Sequence, residues 1–437
     1  GSNFELGFTP DWQFMVWCIE ATKEQLVYAR PPLCLYRRRF QCTKTSTVVD
    51  MTPSAALLTS LSDPRRQPLA FLPPTAEMTA QEFKTVEQDN GATATPATQK
   101  EDTPFVYETP GFFSEDSRVP QWAQSLATDL FSFVTIHYNV WGVPFLVLFY
   151  YLYSIGYGYV PVALVALYLP SFLSGAQKTA KGNPWPAFRS SRIWGLSAKF
   201  LGIKVVREQA LDSSKKYIFG FHPHGIIVLS RVSTYAGNWE KVFPDIPTRA
   251  LGASTMFYVP LGRELCLWLG GVDASRSTAD KVLNDGTSIV VYPGGVPEIF
   301  KTDPNSKVNE LVLKKRLGFV KLAMRHGAEL VPSFVFGEKW LYNMWNPPQG
   351  VIDFFRKTLK IPMIIFWGKF MWMPKQPPKG KRFGVVYGKP IPTKLTANPS
   401  EEEIRAVHTQ YVAEIERLFS QYKKEFGYDD DETLVIN

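Results

Sequence analysis

Tyr217-Ile218-Phe219-Gly220-Phe221-His222-Pro223-His224-Gly225 decides how this chain is read. The run Tyr217 to Phe221 is apolar and of strand length, and a His-Pro-His-Gly tetrapeptide closes it. The chain has five histidines, and two stand here at i and i+2. In an extended segment such neighbours share one face. Pro223 fixes its own φ and pushes His222 away from helix. Gly225 lets a ligand approach the backbone with no Cβ in the way. Imidazoles titrate near neutral pH, so a pair at a strand end points to general-base chemistry.

Outward from that strand the pattern alternates, beginning near residue 200. Strand-like runs fall at 203–207, 217–221, 287–292, 329–335 and 383–388. Helix-like periodicity falls at 263–270, 275–284, 316–326 and 401–425. Short apolar strands separated by helices predict an α/β fold, a mostly parallel sheet covered by helices on both faces. Ligands in such sheets bind at the carboxyl ends of strands. His222–Gly225 stands at one such end, and Tyr292-Pro293-Gly294-Gly295-Val296-Pro297-Glu298 at another. The paired glycines permit a tight turn whose backbone N–H groups face an oxyanion or a phosphate, although the same turn also serves simply to end a strand. Glu298, just beyond, is placed to orient an imidazole or to hydrogen-bond a hydroxyl. Arg316 and Lys321 lie on the amphipathic stretch that stops at Gly327. They read as phosphate contacts or as a plain solvated basic face.

Residues 130–177 contain no Asp, Glu, Lys or Arg. The stretch breaks at Gly156, Gly158 and Pro161, which predicts a helix near 130–153 and another near 159–175. A membrane-embedded helical hairpin, 121–177, is therefore expected ahead of the α/β domain, 178–437. Crossing the hydrocarbon takes about 20 apolar residues. The first arm carries Thr135, His137 and Asn139 and the second is short, so a pair of spans and a re-entrant hairpin both fit. A buried pair of core helices fits a charge-free run of this length less well. Lys178, Lys181, Arg189, Arg192, Lys199, Lys204 and Arg207 follow directly, which puts the domain on the cytosolic side. Residues 1–50 read as an extension without an assigned role. Residues 51–120 read as a largely disordered linker, with 85–118 polar and free of pattern.

A net charge of +8 suits an anionic membrane face or a phosphate-bearing co-substrate. No zinc-finger, RNA-recognition or helix-turn-helix signature is present, so nucleic acid is not an expected partner. Cys18, Cys34, Cys42 and Cys266 form no CxxC pair and argue for a reducing compartment. His222-x-His224 is half of a metal site, but neither a Cys cluster nor HExxH accompanies it, and no metal is expected. Neither G-x-S-x-G nor G-x-x-x-x-G-K-[ST] occurs, which removes a serine-hydrolase elbow and a P-loop.

Four further runs complete a pattern: Arg263-Glu264-Leu265, Leu267-Trp268-Leu269-Gly270, Arg316-x-Gly318-Phe319-Val320-Lys321, and Val331-Pro332 through Phe336-Gly337-Glu338. With the two strand-end motifs, and in this order, they resemble the type-2 diacylglycerol acyltransferase family, which also holds monoacylglycerol and wax-alcohol acyltransferases. The resemblance runs over roughly 120–437. It implies acyl-CoA-dependent esterification at the endoplasmic reticulum membrane, the catalytic domain facing the cytosol, and at lipid droplets, with acyl-CoA as co-substrate and no other cofactor. Diacylglycerol is the implied acceptor, with monoacylglycerol or a long-chain alcohol as the alternative, and the bilayer a partner; the oligomeric state is left open. Glycerol-phosphate-type acyltransferases pair their His with an Asp four intervening residues later, and this chain departs from that. Ile227 and Leu229 occupy the corresponding positions, and no acidic residue occurs between Asp212 and Glu240. Glu298 is the candidate substitute. The expected roles are His224 as general base, His222 as its alternate or positioning partner, and Gly225, Pro293, Gly294 and Gly295 around the oxyanion, with Arg316 and Lys321 toward phosphate. The apolar stretch Ile361–Met373 is expected at the lipid contact or in the core. A non-catalytic membrane protein keeping this fold is the alternative from another class.

Overall fold

The computed structural model describes residues 104–345, Gly350 and 365–437. The extension 1–50, the linker up to residue 103 and the start of the 361–373 stretch lie outside the described residues. In chain order come β1 (Phe105–Glu108), α1 (Gln121–Ile136), α2 (Gly142–Ser154), α3 (Tyr159–Leu173), α4 (Pro186–Arg189), α5 (Gly195–Leu201), β2 (Ile203–Arg207) and β3 (Tyr217–His222). Then follow α6 (Asn238–Val242), β4 (Thr248–Gly252), α7 (Gly262–Trp268), β5 (Gly271–Asp273), α8 (Arg276–Asn284), β6 (Ser288–Val291), α9 (Val296–Ile299) and β7 (Val308–Leu311). Last are α10 (Gly318–His326), β8 (Glu329–Phe336), β9 (Asn343–Trp345), β10 (Ile365–Trp367), β11 (Phe383–Tyr387), α11 (Glu401–Tyr422) and β12 (Thr433–Ile436).

The main sheet has the order β1-β2-β11-β8-β3-β6-β4-β5. β1–β2 and β11–β8 are antiparallel and the other neighbours parallel. The expectation of a mostly parallel sheet is thus corrected to a mixed one. β8 ends at the edge where β3 ends, and β11 begins at that same edge, so it runs antiparallel to β8. Within the expected linker, Phe105–Glu108 pairs with β2. Four residues are too few to show a period, and Phe105 is held partly by the Arg207 guanidinium 5.0 Å from its ring centre.

Strand pleat sorts the core. Ile218 of β3 joins Ile289, Leu330 and Val386 against α8, α10 and α11. Its neighbours Tyr217, Phe219 and Phe221 join Val290, Val331 and Val385 against α5 and α6. Each such side chain contributes about 1.5–3 kcal/mol when taken fully from water. α11 starts at a capping box, Ser400 with Glu403, and buries Ile404, His408, Tyr411, Ile415 and Leu418 along one helical stripe.

The charge-free region differs from the predicted pair of arms. The first helix ends at Ile136 rather than running to 153. His137 is the cause: it is buried, donates from Nδ1 to the Phe133 carbonyl at 2.7 Å, and accepts at Nε2 from the Trp372 N–H at 3.2 Å. α1 is thereby clasped to the 369–372 turn, where Lys369 also meets Asp129 at 2.7 Å. α2, with 13 residues, spans only about 20 Å. Among the described residues one helical stretch, Tyr159–Lys178, is long and apolar enough to cross a membrane. Neither α2 nor α3 buries a residue, so the pair is not a set of core helices. Arg263 and Glu264 tie α3 to α7. Glu264 takes the Tyr168 hydroxyl, and the buried Arg263 bonds Glu264, Ser174 and Gln177.

Candidate active site

β3 delivers His222 to its end, fully buried, on the side covered by α10 and α11. Its Nε2 lies 3.1 Å from the Tyr411 hydroxyl. That hydroxyl donates to the Gly220 carbonyl at 3.1 Å, so it accepts from His222, which fixes the proton on Nε2. Burial, followed by the charge of Glu298, holds the Tyr411 phenol well above its ordinary pKa and keeps it a donor. His222 Nδ1 faces Glu298 Oε1 at 3.8 Å and has no hydrogen-bond partner.

His224 follows after the strand has ended, so the pleat no longer sets its direction. Its ring stands edge-on to Tyr292 at 5.5 Å, and Tyr292 packs with the opposite cluster. The two imidazoles therefore do not share a face as the i, i+2 spacing predicts. His224 Nδ1 is 2.8 Å from the Gly225 carbonyl. A carbonyl only accepts, so Nδ1 carries the proton and Nε2 is the basic nitrogen of the neutral ring. His224 is half-buried, whereas His222 has no exposure.

Glu298 sits in α9, just past the Pro293-Gly294-Gly295 turn, and is buried. Oε2 accepts from the His224 backbone N–H at 2.7 Å and Oε1 from the Val312 N–H at 3.0 Å. Its carboxylate thus holds the backbone of His224 and faces the ring of His222, instead of orienting the His224 ring. A Cβ on Gly294 would lie 1.8 Å from Glu298 Cδ, which is why glycine stands there. Arg316 joins the turn by donating to the Gly294 carbonyl at 3.2 Å. Lys321 is exposed on α10 and outside this network.

Glu338 and Tyr411 belong to the site although the residue pattern assigned neither a role. Glu338 is buried and accepts from the Leu229 N–H at 3.1 Å. Its carboxyl occupies the place where a Gly225 Cβ would be, 2.0 Å from Cδ. Burial, and secondarily the charge of Glu298, push it well above the carboxylate range, against the pull of the Leu229 amide. Glu338 ended a recognised motif; Tyr411 had no local signal at all. A cleft of about 410 Å³, lined by Thr109, Lys199, Ile203, Gln376 and Arg382 among others, opens at this same sheet edge, where β2 and β11 begin. It contains none of the site residues. Among the described residues no three His, Cys, Asp or Glu side chains converge as a metal site would require.

A half-buried imidazole seated at the end of a strand by a buried carboxylate has the chemistry to exchange a proton with a bound hydroxyl. The profile of the Diacylglycerol acyltransferase family matches residues 151–437, and the chain belongs to that family. It is 34% identical to 2-acylglycerol O-acyltransferase 1 of Mus musculus, over 58% of this chain and 79% of the relative. It is 31% identical to Diacylglycerol O-acyltransferase 1 of Schizosaccharomyces pombe, over 72% and 92%. Acyl-CoA wax alcohol acyltransferase 2 of Mus musculus shares 31% over 63% and 90%. No solved structure matches.

Proposed function

We propose that this chain is an acyl-CoA-dependent O-acyltransferase that esterifies the free hydroxyl of diacylglycerol to give triacylglycerol. The observation that supports the reading is His224, half-buried, whose Nδ1–H on the Gly225 carbonyl makes Nε2 the basic nitrogen of the neutral ring. Nε2 takes the proton of the acceptor hydroxyl while that oxygen attacks the thioester carbon. The C–S bond then breaks, and CoA leaves as a thiolate, with no acyl-enzyme. Backbone N–H groups of the Gly225 and Gly294-Gly295 turns stabilise the oxyanion. His222, sealed from substrate between Tyr411 and Glu298, positions the turn. Arg316, already on the Gly294 carbonyl, is the candidate cation for a CoA phosphate.

The bilayer enters through α2 and α3. Their largely exposed apolar surface, joined to the domain by Arg263 and Glu264, supports a site beside lipid, where both substrates would arrive laterally. The basic run after α3 supports a cytosolic domain on the endoplasmic reticulum, with access to lipid droplets. Monoacylglycerol is the second reading for the acceptor, favoured by the 34% identity to the mouse 2-acylglycerol enzyme. Full-length protein in microsomes, given labelled oleoyl-CoA and equal amounts of diacylglycerol, monoacylglycerol and a long-chain alcohol, tests both. Triacylglycerol as the main labelled product supports the proposal. A main product of diacylglycerol or wax ester overturns the acceptor, and no ester at all overturns the function.

A further inference from the structure

We propose that Glu338 is a positioning residue of this site, a neutral carboxylic acid that fastens the Gly225–Leu229 turn beneath His224. Two buried carboxyl groups hold that turn from its two ends. Glu298 takes the N–H of His224 and Glu338 takes the N–H of Leu229. Each lies where a glycine has left room, Glu298 on Gly294 and Glu338 on Gly225. Their surroundings differ. Glu298 has a second backbone donor, Val312, at 3.0 Å. Glu338 has one donor, and its Oε2 is buried with no partner. Two carboxylates cannot both ionise cheaply in one dry pocket, so the charge stays where the donors are. The proton falls to Glu338, and to Oε2, because Oε1 is already accepting from Leu229.

Arg231, the cation beside Tyr292, donates to the Leu269 carbonyl and is not among the groups acting on Glu338. Tyr292, Tyr342 and Tyr428 lie within electrostatic reach of the Glu338 carboxyl, and burial raises the pKa of all three. Lys339, next in the chain, is committed to Glu432.

Glutamine reproduces the shape and hydrogen bonding of a neutral glutamic acid; leucine removes the acceptor for Leu229. In full-length protein, Glu338→Gln should keep turnover within about threefold, while Glu338→Leu should lower kcat about 10- to 100-fold with KM for acyl-CoA little changed. The alkaline side of the pH–rate profile should extend upward in Glu338→Gln, which has no acid to ionise beside Glu298. A second measurement is independent of turnover. The infrared difference spectrum, parental minus Glu338→Gln at neutral pH, should show the carbonyl band of a protonated carboxylic acid and no carboxylate bands. Carboxylate bands there, or a Gln variant as impaired as the Leu variant, would overturn the neutral acid. Near-parental kcat in Glu338→Leu would overturn the positioning role. If Glu338→Leu fails to accumulate in the membrane, the Gln profile and the infrared spectrum decide. The kinetic arm rests on the acyl-transfer reading: a parental protein that makes no ester refutes that reading, and the infrared arm still settles the protonation.

Discussion

Gly294→Ala tests the claim that Glu298 builds the site by holding the backbone of His224. The added Cβ would lie 1.8 Å from Glu298 Cδ, and 2.1 and 2.3 Å from its two oxygens. The carboxylate must therefore retreat by more than an ångström. It then loses the His224 N–H, now at 2.7 Å, and the Val312 N–H, now at 3.0 Å. A hydrogen bond to a charged group is worth about 1.5–3 kcal/mol, so one such loss transmitted to the transition state lowers kcat about 10- to 100-fold. Gly318→Ala is the control, since its Cβ would meet nothing within 4 Å. The decisive assay is a double-mutant cycle on acyl transfer with Glu298→Ala, in which the clash is gone and only the lost carboxylate counts. Gly294→Ala should then cost almost nothing further, because two changes acting on one interaction are non-additive. An unimpaired Gly294→Ala enzyme would refute the reasoning. So would an equal penalty in both backgrounds, which would mean that the glycine serves the turn itself.

Arg263→Met should detach α3 from the domain: it removes three hydrogen bonds and leaves Glu264 without its cation, at a cost of about 3–5 kcal/mol, read as a fall in the unfolding midpoint in detergent. His408 gives a pH dependence. Burial first, with the Arg405 charge adding to it, holds its pKa below 6.5 against the Leu313 carbonyl that accepts from it. The folded state thus prefers the neutral ring, so this stability is complete above pH 6.5 and is lost as pH falls through the lowered value. In His408→Gln the loss of thermal stability on acidification from pH 7 to 5 should be shallower than in the parental protein.

The long strands and helices were legible because their burial repeats. β2 at 203–207, β8 at 329–336 and α10 at 318–326 fall within a residue or two of the apolar runs that announce them. Two-sided burial makes such strands continuous in composition, and Gly327 marks the end of α10 by itself. β1, β4 and β5 were not legible: β1 and β5 have only four and three residues, and β4, Thr248-Arg249-Ala250-Leu251-Gly252, has no continuous apolar run. The break after α1 had a visible agent, His137, but its reason is a contact with Trp372 that no local pattern encodes. The site divided in the same way. His222, His224, Gly225, Gly294, Glu298 and Arg316 are brought together, whereas Lys321 faces solvent. The facing of the two histidines was misjudged because pleat alternation stops where the strand stops. Glu338 and Tyr411 escaped because each acts across the sheet edge, on a turn or a strand from a different part of the chain.

The central claim is that His224 is the base and His222 its support. Single-turnover acyl transfer from labelled oleoyl-CoA to diacylglycerol, measured for His224→Ala and His222→Gln in matched amounts of membrane-bound protein, tests it most directly. His224→Ala should fall about 100- to 10,000-fold, the usual range for losing a general base. His222→Gln, which keeps a donor for Tyr411, should fall much less. Near-parental turnover in His224→Ala, with His222→Gln inactive, would contradict the account and move the base to the buried ring.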